Sequence, residues 1–302
     1  MNAVNNLGVL YWYRGRLDEA EQSFVRVLEY QRKREGEESV AAAEAAVNVA
    51  ILQTQLRRLD DAEKLLDQSL AILTRARGPE HAMTLSALAS RATVYFMRRD
   101  YGRAARDLEE VVAGRRKLFA PDDPFLLEAM YNLSQCYRKL ARDADAEPIL
   151  RETLERRRRA IGPQHPETLD SLSELADVVF RAGRADEARP LVVELLAGRL
   201  AVATGPNSTP SARSAYARAL VLNPFEDLRD PEKALRFAKE ASDAAGGTDA
   251  LFLDALALAQ AATGAMEDAA ATQRKALEIL PADSPDRAEF EERLAEYLDE
   301  PR

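Results

Sequence analysis

Apolar residues in AVNNLGVLYWYRG (3–15) recur every three or four positions, the spacing of one helix face, and the run stops at Gly15. A second stretch opens at LDEA (17–20), keeps the helical period and ends in a basic tail. The pair then repeats. RGRLDEAEQSF (14–24) is followed by RRLDDAEKLL (57–66), RRDYGRAARDL (98–108), LARDADAEPIL (140–150) and RAGRADEARPL (181–191). Their central alanines, Ala20, Ala62, Ala104, Ala146 and Ala188, are 42 residues apart at every step. A small column keeps the same step (Gly8, Ala50, Ala92, Ser134, Ala176), and so does an aliphatic one (Leu28, Leu70, Val112, Leu154, Leu196). Gapless copies of one pattern identify an internal repeat.

Each copy predicts two helices, the first ending near Gly15, Arg57, Arg99, Ala141 or Gly183. So short a turn makes them antiparallel neighbours, and the two small columns let them approach closely. One hairpin cannot bury its apolar faces alone but stacked hairpins can, so the expected fold is all-α, a solenoid. After the fifth copy the frame slips: Ala234 follows Ala188 by 46 residues, the extra length falling in LNPFEDLRD (222–230), and Ala269 follows by 35. In SPDRAEFEERLAEYLDE (284–300), Ser284 suits an N-cap and Pro285 the first helical position. Phe290, Leu294 and Leu298 form a stripe, with Glu291, Glu292, Arg293 and Glu296 elsewhere, as expected of a terminal capping helix. The expected organisation is five 42-residue units over 1–204, two further units over 205–282 and a cap over 283–302.

Leu7-Gly8, Tyr11, Gly15, Ala20 and Phe24 spell L-G-x-x-Y followed by G-x-x-x-x-A-x-x-x-F, which resembles the tetratricopeptide repeat (TPR). The 42-residue period, with turns such as GPQHPET (162–168), is similar to its kinesin-light-chain-type variant. The resemblance implies a right-handed α-solenoid of about seven hairpins that binds other proteins, with no cofactor. The stretch from LNPFEDLRDPEKALRFAKEA onward is similar to C-terminal TPR arrays of bacterial serine/threonine kinases. That likeness implies an alternative, a regulatory or docking region of a kinase whose catalytic domain lies elsewhere. A step of 42 residues back from the first G-P-x-cap turn lands before Met1, so the expectation is a fragment of a longer protein.

Composition narrows the field. A net charge of -9 argues against general attraction to nucleic acid or anionic membrane, and no base-stacking aromatics interleave with the basic runs. The longest apolar run, LFLDALALAQAA (251–262), is interrupted by Asp254 and is too short to span a bilayer. One cysteine gives no internal disulfide and fits a reducing compartment; the expected location is the cytoplasm. Arginine far outnumbers lysine, as in GC-rich bacterial genomes.

The candidate chemistry is sparse. His81 and His165 invite a ligand or base reading, but their column runs Ser39, His81, Asp123, His165, with Thr209 taking the place after one inserted residue. These are helix N-caps, followed by proline at 124, 166 and 210. First helices about 10 Å apart would separate the histidines by ~20 Å, too far for one metal. Cys136 shares a column with Leu10, Leu52, Val94 and Val178 and reads as a core thiol. Pro148 and Pro190 sit early in second helices, where a backbone N–H can be free. The basic runs QRKR (31–34), RRK (115–117) and ERRRR (155–159) read as solvated helix ends complementing the dipole; the alternative is a basic edge collecting acidic ligands. No phosphate loop, nucleophile elbow, kinase signature or metal spacing occurs, so no catalytic or metal residue is expected.

The asparagines stand apart. Asn6, Asn48 and Asn132 share one first-helix column, with Ser90 and Glu174 in the other copies, and helix propensity does not explain them. The TPR resemblance implies that first helices line a concave surface, where asparagines at this place hydrogen-bond the backbone of a bound peptide. Neighbouring columns add Val9, Ile51, Thr93 and Gln135, then Tyr13, Gln55, Met97, Lys139 and Arg181. The expected groove is more apolar and aromatic toward the N-terminus and more charged toward the C-terminus. The bland alternative is that the asparagines bridge adjacent helices or face water. The expected role is a scaffold holding an extended protein segment on Asn6, Asn48, Ser90, Asn132, Tyr13, Gln135, Lys139 and Arg181.

Overall fold

The computed structural model describes residues 2–282, 284 and 286–299, the side chain of Asn2 excepted. Among them are fifteen α-helices, one short 3₁₀ turn and no strand. The chain divides into two compact units, Met1–Ile149 and Leu150–Arg302. The first holds α1 (Asn2–Tyr13), α2 (Leu17–Glu35), α3 (Val40–Gln55), α4 (Leu59–Arg77), α5 (Ala82–Met97), α6 (Tyr101–Leu118) and α7 (Pro124–Lys139). The division falls inside α8 (Asp143–Ala160). The second unit continues with α9 (Pro166–Arg181), α10 (Ala185–Thr204), α11 (Pro210–Leu222), the 3₁₀ turn Glu226–Leu228, α12 (Pro231–Ala244), α13 (Ala250–Ala262), α14 (Met266–Ile279) and α15 (Arg287–Asp299).

Within each unit every helix packs on the next, and α3 also meets α5 as α11 meets α13. Each unit is thus a solenoid stack of helix hairpins. The small columns sit where the helices press together. Ala20, Ala62, Ala104, Ala146 and Ala188 are fully buried, and a Cβ placed on Gly8 would come within 2.8 Å of the Phe24 ring.

The turns inside the hairpins share one device. The residue ending the first helix is left-handed at Gly15 (φ 71°), Arg57 (62°), Arg99 (61°), Ala141 (57°) and Gly183 (77°). At Ala141 the N–H donates to Arg138 O (3.0 Å) and the next N–H, of Arg142, to Tyr137 O (2.8 Å), which satisfies carbonyls the ended helix leaves open. The first helices begin on the expected caps. Ser39, Asp123 and Thr209 accept from the amides of Ala42, Leu126 and Ala212. The histidines do the same work: Nδ1 of His81 accepts from Met83 N–H (3.2 Å) and Nδ1 of His165 from Glu167 N–H (3.4 Å). Cys136 is fully buried.

Two local expectations fail. Pro148 and Pro190 lie inside α8 and α10, at the sixth residue of each, beyond the first turn where an amide is free. Each therefore leaves a carbonyl one turn earlier without its helical donor. The faces of α15 also differ from the expected stripe. Phe290 and Tyr297 are buried and Leu294 packs in the cluster of Tyr297, while Leu298 is exposed. Arg293 is not on the solvent side: it reaches the fully buried Asp254 of α13, which also takes Arg218 and Gln273 Nε2 (3.0 Å). A buried carboxylate requires counter-charge, and Arg293 and Arg218 supply it. Ser284 Oγ accepts from Asp286 N–H at 3.3 Å, and Pro285 lies outside the described residues.

Candidate peptide-binding groove

The first helices of the first unit lay one face each along a groove with a cavity of about 540 Å³. On α5 the lining residues are Ser86, Ala89, Ser90, Thr93 and Met97, spaced by three or four as one helix face must be. Ile51, Thr54 and Gln55 come from α3, and Phe125, Glu128, Ala129 and Asn132 from α7. Trp12 of α1 and Leu108 and Arg115 of α6 complete the lining.

The predicted residues fare unequally. Asn132 and Ser90 line the cavity. Asn132 is half-buried, and its amide takes no hydrogen bond from the described protein. Ser90 Oγ donates to the Ser86 carbonyl (3.0 Å). Asn48 lies on the same helix row but outside the cavity lining, and its Nδ2 donates to Asn5 Oδ1 at 3.4 Å, a bridge between α3 and α1. Asn6 is exposed on α1. Tyr13 is 83% exposed, with its ring stacked 6.0 Å from that of Trp12. Gln135 donates to the Tyr131 hydroxyl (2.8 Å), and Lys139 is exposed at the end of α7. Arg181 belongs to the second unit, where it pairs with Asp177 at 3.4 Å.

Of the neighbouring columns, Ile51, Thr93, Gln55 and Met97 face the groove. Gln55 is held by Trp12, whose indole Nε1–H donates to Gln55 Oε1 at 2.6 Å. The resulting wall is apolar and small over α3 and α5, with a free amide and a carboxylate on α7.

The basic runs predict solvated helix ends, yet Arg115 and Arg157 are both buried. Arg116 and Lys117 are exposed, but Arg115 is only 6% exposed and turns into the groove. The cause is the stripe it continues: Leu108, Val111 and Arg115 lie on one face of α6, and Gly114 lets that helix end press on α5. A Cβ on Gly114 would come within 2.8 Å of the Leu85 methyls. The guanidinium donates through Nη1 to the Phe125 carbonyl and lies 5.7 Å from the Phe125 ring. Burial lowers its pKa from the usual arginine value, against the pull of Glu128 and Asp123. The spacing from Leu108 and Val111 was the available sequence signal.

Among the described residues no group of three or more His, Cys, Asp or Glu could hold a metal. No helix among them is long and apolar enough to cross a membrane. The fold and the groove define a helical-repeat protein of the solenoid class. Residues 1–72, 42–117, 91–158 and 125–201 match the family model for the tetratricopeptide repeat, and the chain belongs to that family. Proteins of this family are commonly interaction scaffolds, and their solved relatives here include kinesin-light-chain-like arrays. A Podosopora anserina kinesin light chain protein with nearly identical TPR-like repeats superposes with a TM-score of 0.58 at 23% identity, covering 66% of this chain and 93% of its own. The apo form of RapI reaches a TM-score of 0.66 at 16% identity, covering 92% and 96%. A Rap protein complexed with competence and sporulation factor gives 0.58 at 13%, covering 97% and 75%. At these identities the likeness concerns the fold. Among curated proteins none matches this chain.

Proposed function

We propose that this chain is a protein-interaction scaffold whose first unit holds an extended segment of another protein along the groove of α3, α5 and α7. The observation that carries this reading is the half-buried Asn132 amide, unbonded to the described protein and set in a 540 Å³ groove of small and apolar side chains. An amide offers both a donor and an acceptor, which is what the backbone of an extended peptide needs. Ser90, Thr93 and Asn132 form the middle of the contact. Asn6 and Tyr13 extend it along α1 at one end, and Gln135 and Lys139 along α7 at the other. Asn48 serves by fixing α3 against α1. Arg181 offers a separate contact on the second unit. No cofactor takes part in binding of this kind.

The test is capture of partners from the native host by tagged wild-type protein, Asn132→Ala and Thr93→Arg, with Lys64→Ala, whose side chain is outside this groove, as control. Thr93 is exposed, so an arginine there fills the groove without entering the core. One protein captured by wild type and Lys64→Ala but lost from both groove variants is the expected result. Capture by wild type and all three variants alike, with unchanged helicity, would refute the groove reading.

A further inference from the structure

The second helices share a pattern of charge that α10 breaks. Steps of 42 residues read Val25, Asp67, Glu109, Arg151 and Val193 in one column, and Arg32, Thr74, Arg116, Arg158 and Leu200 in another. A third reads Lys33, Arg75, Lys117, Arg159 and Ala201, a cation in four copies and alanine in the fifth. The last turn of α10 has none of the basic residues that end α2, α4, α6 and α8. From Leu191 to Thr204 (LVVELLAGRLAVAT) α10 carries two charges, and the chain answers both: Glu194 meets Arg158 at 2.6 Å and Arg199 meets Asp170 at 2.5 Å.

A helix that is apolar on every side is normally covered on every side. The inner face of α10 is covered: Val192, Leu195 and Ala203 are buried, and a Cβ on Gly198 would come within 2.6 Å of Leu169. The outer face is not. Val193 is 48% and Leu200 38% exposed, with Ala197 exposed between them. The spacing of 193, 197, 200 and 201 puts all four along one side of the helix.

We infer that the outer face of α10 is a self-association surface whose occupant is the same face of a second copy of this chain. Val193 and Leu200 are the bumps of this face, and Ala197 and Ala201 its hollows. Two such helices lying antiparallel about Ala197 set each Val193 over the Ala201 of the other copy, a self-complementary contact of the kind a two-fold axis requires. Charge selects the same occupant. At a net charge of -9 two copies repel over most of their surface, and this stretch, its charges already paired, is where they approach at least cost. A strongly charged partner finds nothing to hold there. One pair of helices covers less than the roughly 800 Å² per partner of a stable interface, so the dimer is weak and depends on concentration.

The full chain is followed by sedimentation velocity from about 5 to 300 µM, the range of a weak contact, as wild type, Val193→Glu and Leu200→Arg. The two variants restore charges that the same columns carry in α6 (Glu109) and α8 (Arg158), and circular dichroism checks that helicity is unchanged. Wild type should move toward twice the monomer mass. Each variant should raise the dissociation constant at least about tenfold, because it buries a charge without a partner. Ala197→Cys gives a reading independent of those variants, since Cys136 is fully buried and leaves the introduced thiol as the one an oxidant reaches. Under mild oxidation Ala197→Cys should form a covalent dimer at least about tenfold faster than Ala113→Cys, because association holds the thiols together. Ala113 is exposed in the same column of α6, but bordered by Glu109, Arg116 and Lys117. A mixture of Val193→Cys and Ala201→Cys should cross-link faster than either alone. Wild type that stays monomeric throughout overturns the inference, as do equal rates for Ala197→Cys and Ala113→Cys. A dimer that both charge variants leave intact belongs to another surface and overturns it too. Val193→Cys that cross-links faster alone than in the mixture overturns the antiparallel pairing. Monomeric wild type that captures a host protein, with that protein lost from Leu200→Arg, gives the face to a foreign partner and overturns the second copy.

Discussion

The left-handed residue that ends each first helix allows a reciprocal test of what holds the hairpins together. Ala141 (φ 57°) and Gly183 (φ 77°) occupy the same column and make the same bonds, their N–H groups donating to Arg138 O at 3.0 Å and Phe180 O at 2.9 Å. A left-handed conformation costs an L-residue about 1–2 kcal/mol. Against this, glycine loses about 0.4–1 kcal/mol more backbone entropy on folding. Ala141→Gly should therefore stabilise the protein by about 0.5–1 kcal/mol, by the difference of these two. Gly183→Ala should destabilise by a similar amount. A Cβ on Gly183 meets nothing within 4 Å, so its whole effect is backbone strain. Ala141 is exposed, so its methyl takes little packing with it. Urea titration followed by circular dichroism reads both, as opposite shifts of midpoint with unchanged slope. If the units unfold in separate steps, each shift belongs to the step of the unit that carries the change. A lower midpoint for Ala141→Gly would refute the argument, because it would mean that alanine is not strained at this turn.

Two further outcomes follow from buried groups. Burial pushes the Cys136 thiol up from its usual value near 9 to about 12, so the native thiol should resist Ellman's reagent at pH 8 and react only on unfolding; native reactivity at a rate matching a small-molecule thiol would contradict the burial. The sign for stability follows: a raised folded pKa favours the fold fully below the unfolded pKa, and this contribution fades as pH climbs from about 8.5 toward 12, a decline that Cys136→Ala should lack. Asp254→Ala takes the buried carboxylate away from Arg218 and leaves Arg293 with Glu289 alone, and removing one partner of such a buried cluster costs about 3–5 kcal/mol. Hydrogen exchange should then show α15 losing protection first, and α15 amides as protected as in wild type would contradict that clamp.

How much of this was legible beforehand differs from residue to residue. The 42-residue step placed the hairpins, because a stacked repeat imposes the same steric demand at the same place in each copy: Ala20 and its equivalents are small because two helices meet there. The caps were legible for the same reason, even with histidine standing for serine, since a ring nitrogen accepts an amide as an oxygen does. The column places Asn48 and Asn132 at one position of their helices, but it cannot say that Asn48 turns to Asn5 while Asn132 faces the groove. That depends on what the adjacent helix presents. The burial of Arg293 and Arg115 is not written in the sequence, because charge along a helix says nothing about the neighbouring surface. Periodicity is a property of one helix and is written in the chain. Whether a buried charge is answered, as Arg293 is by Asp254, or left open, as Arg115 is, depends on residues far apart in sequence, and only the packed structure brings them together.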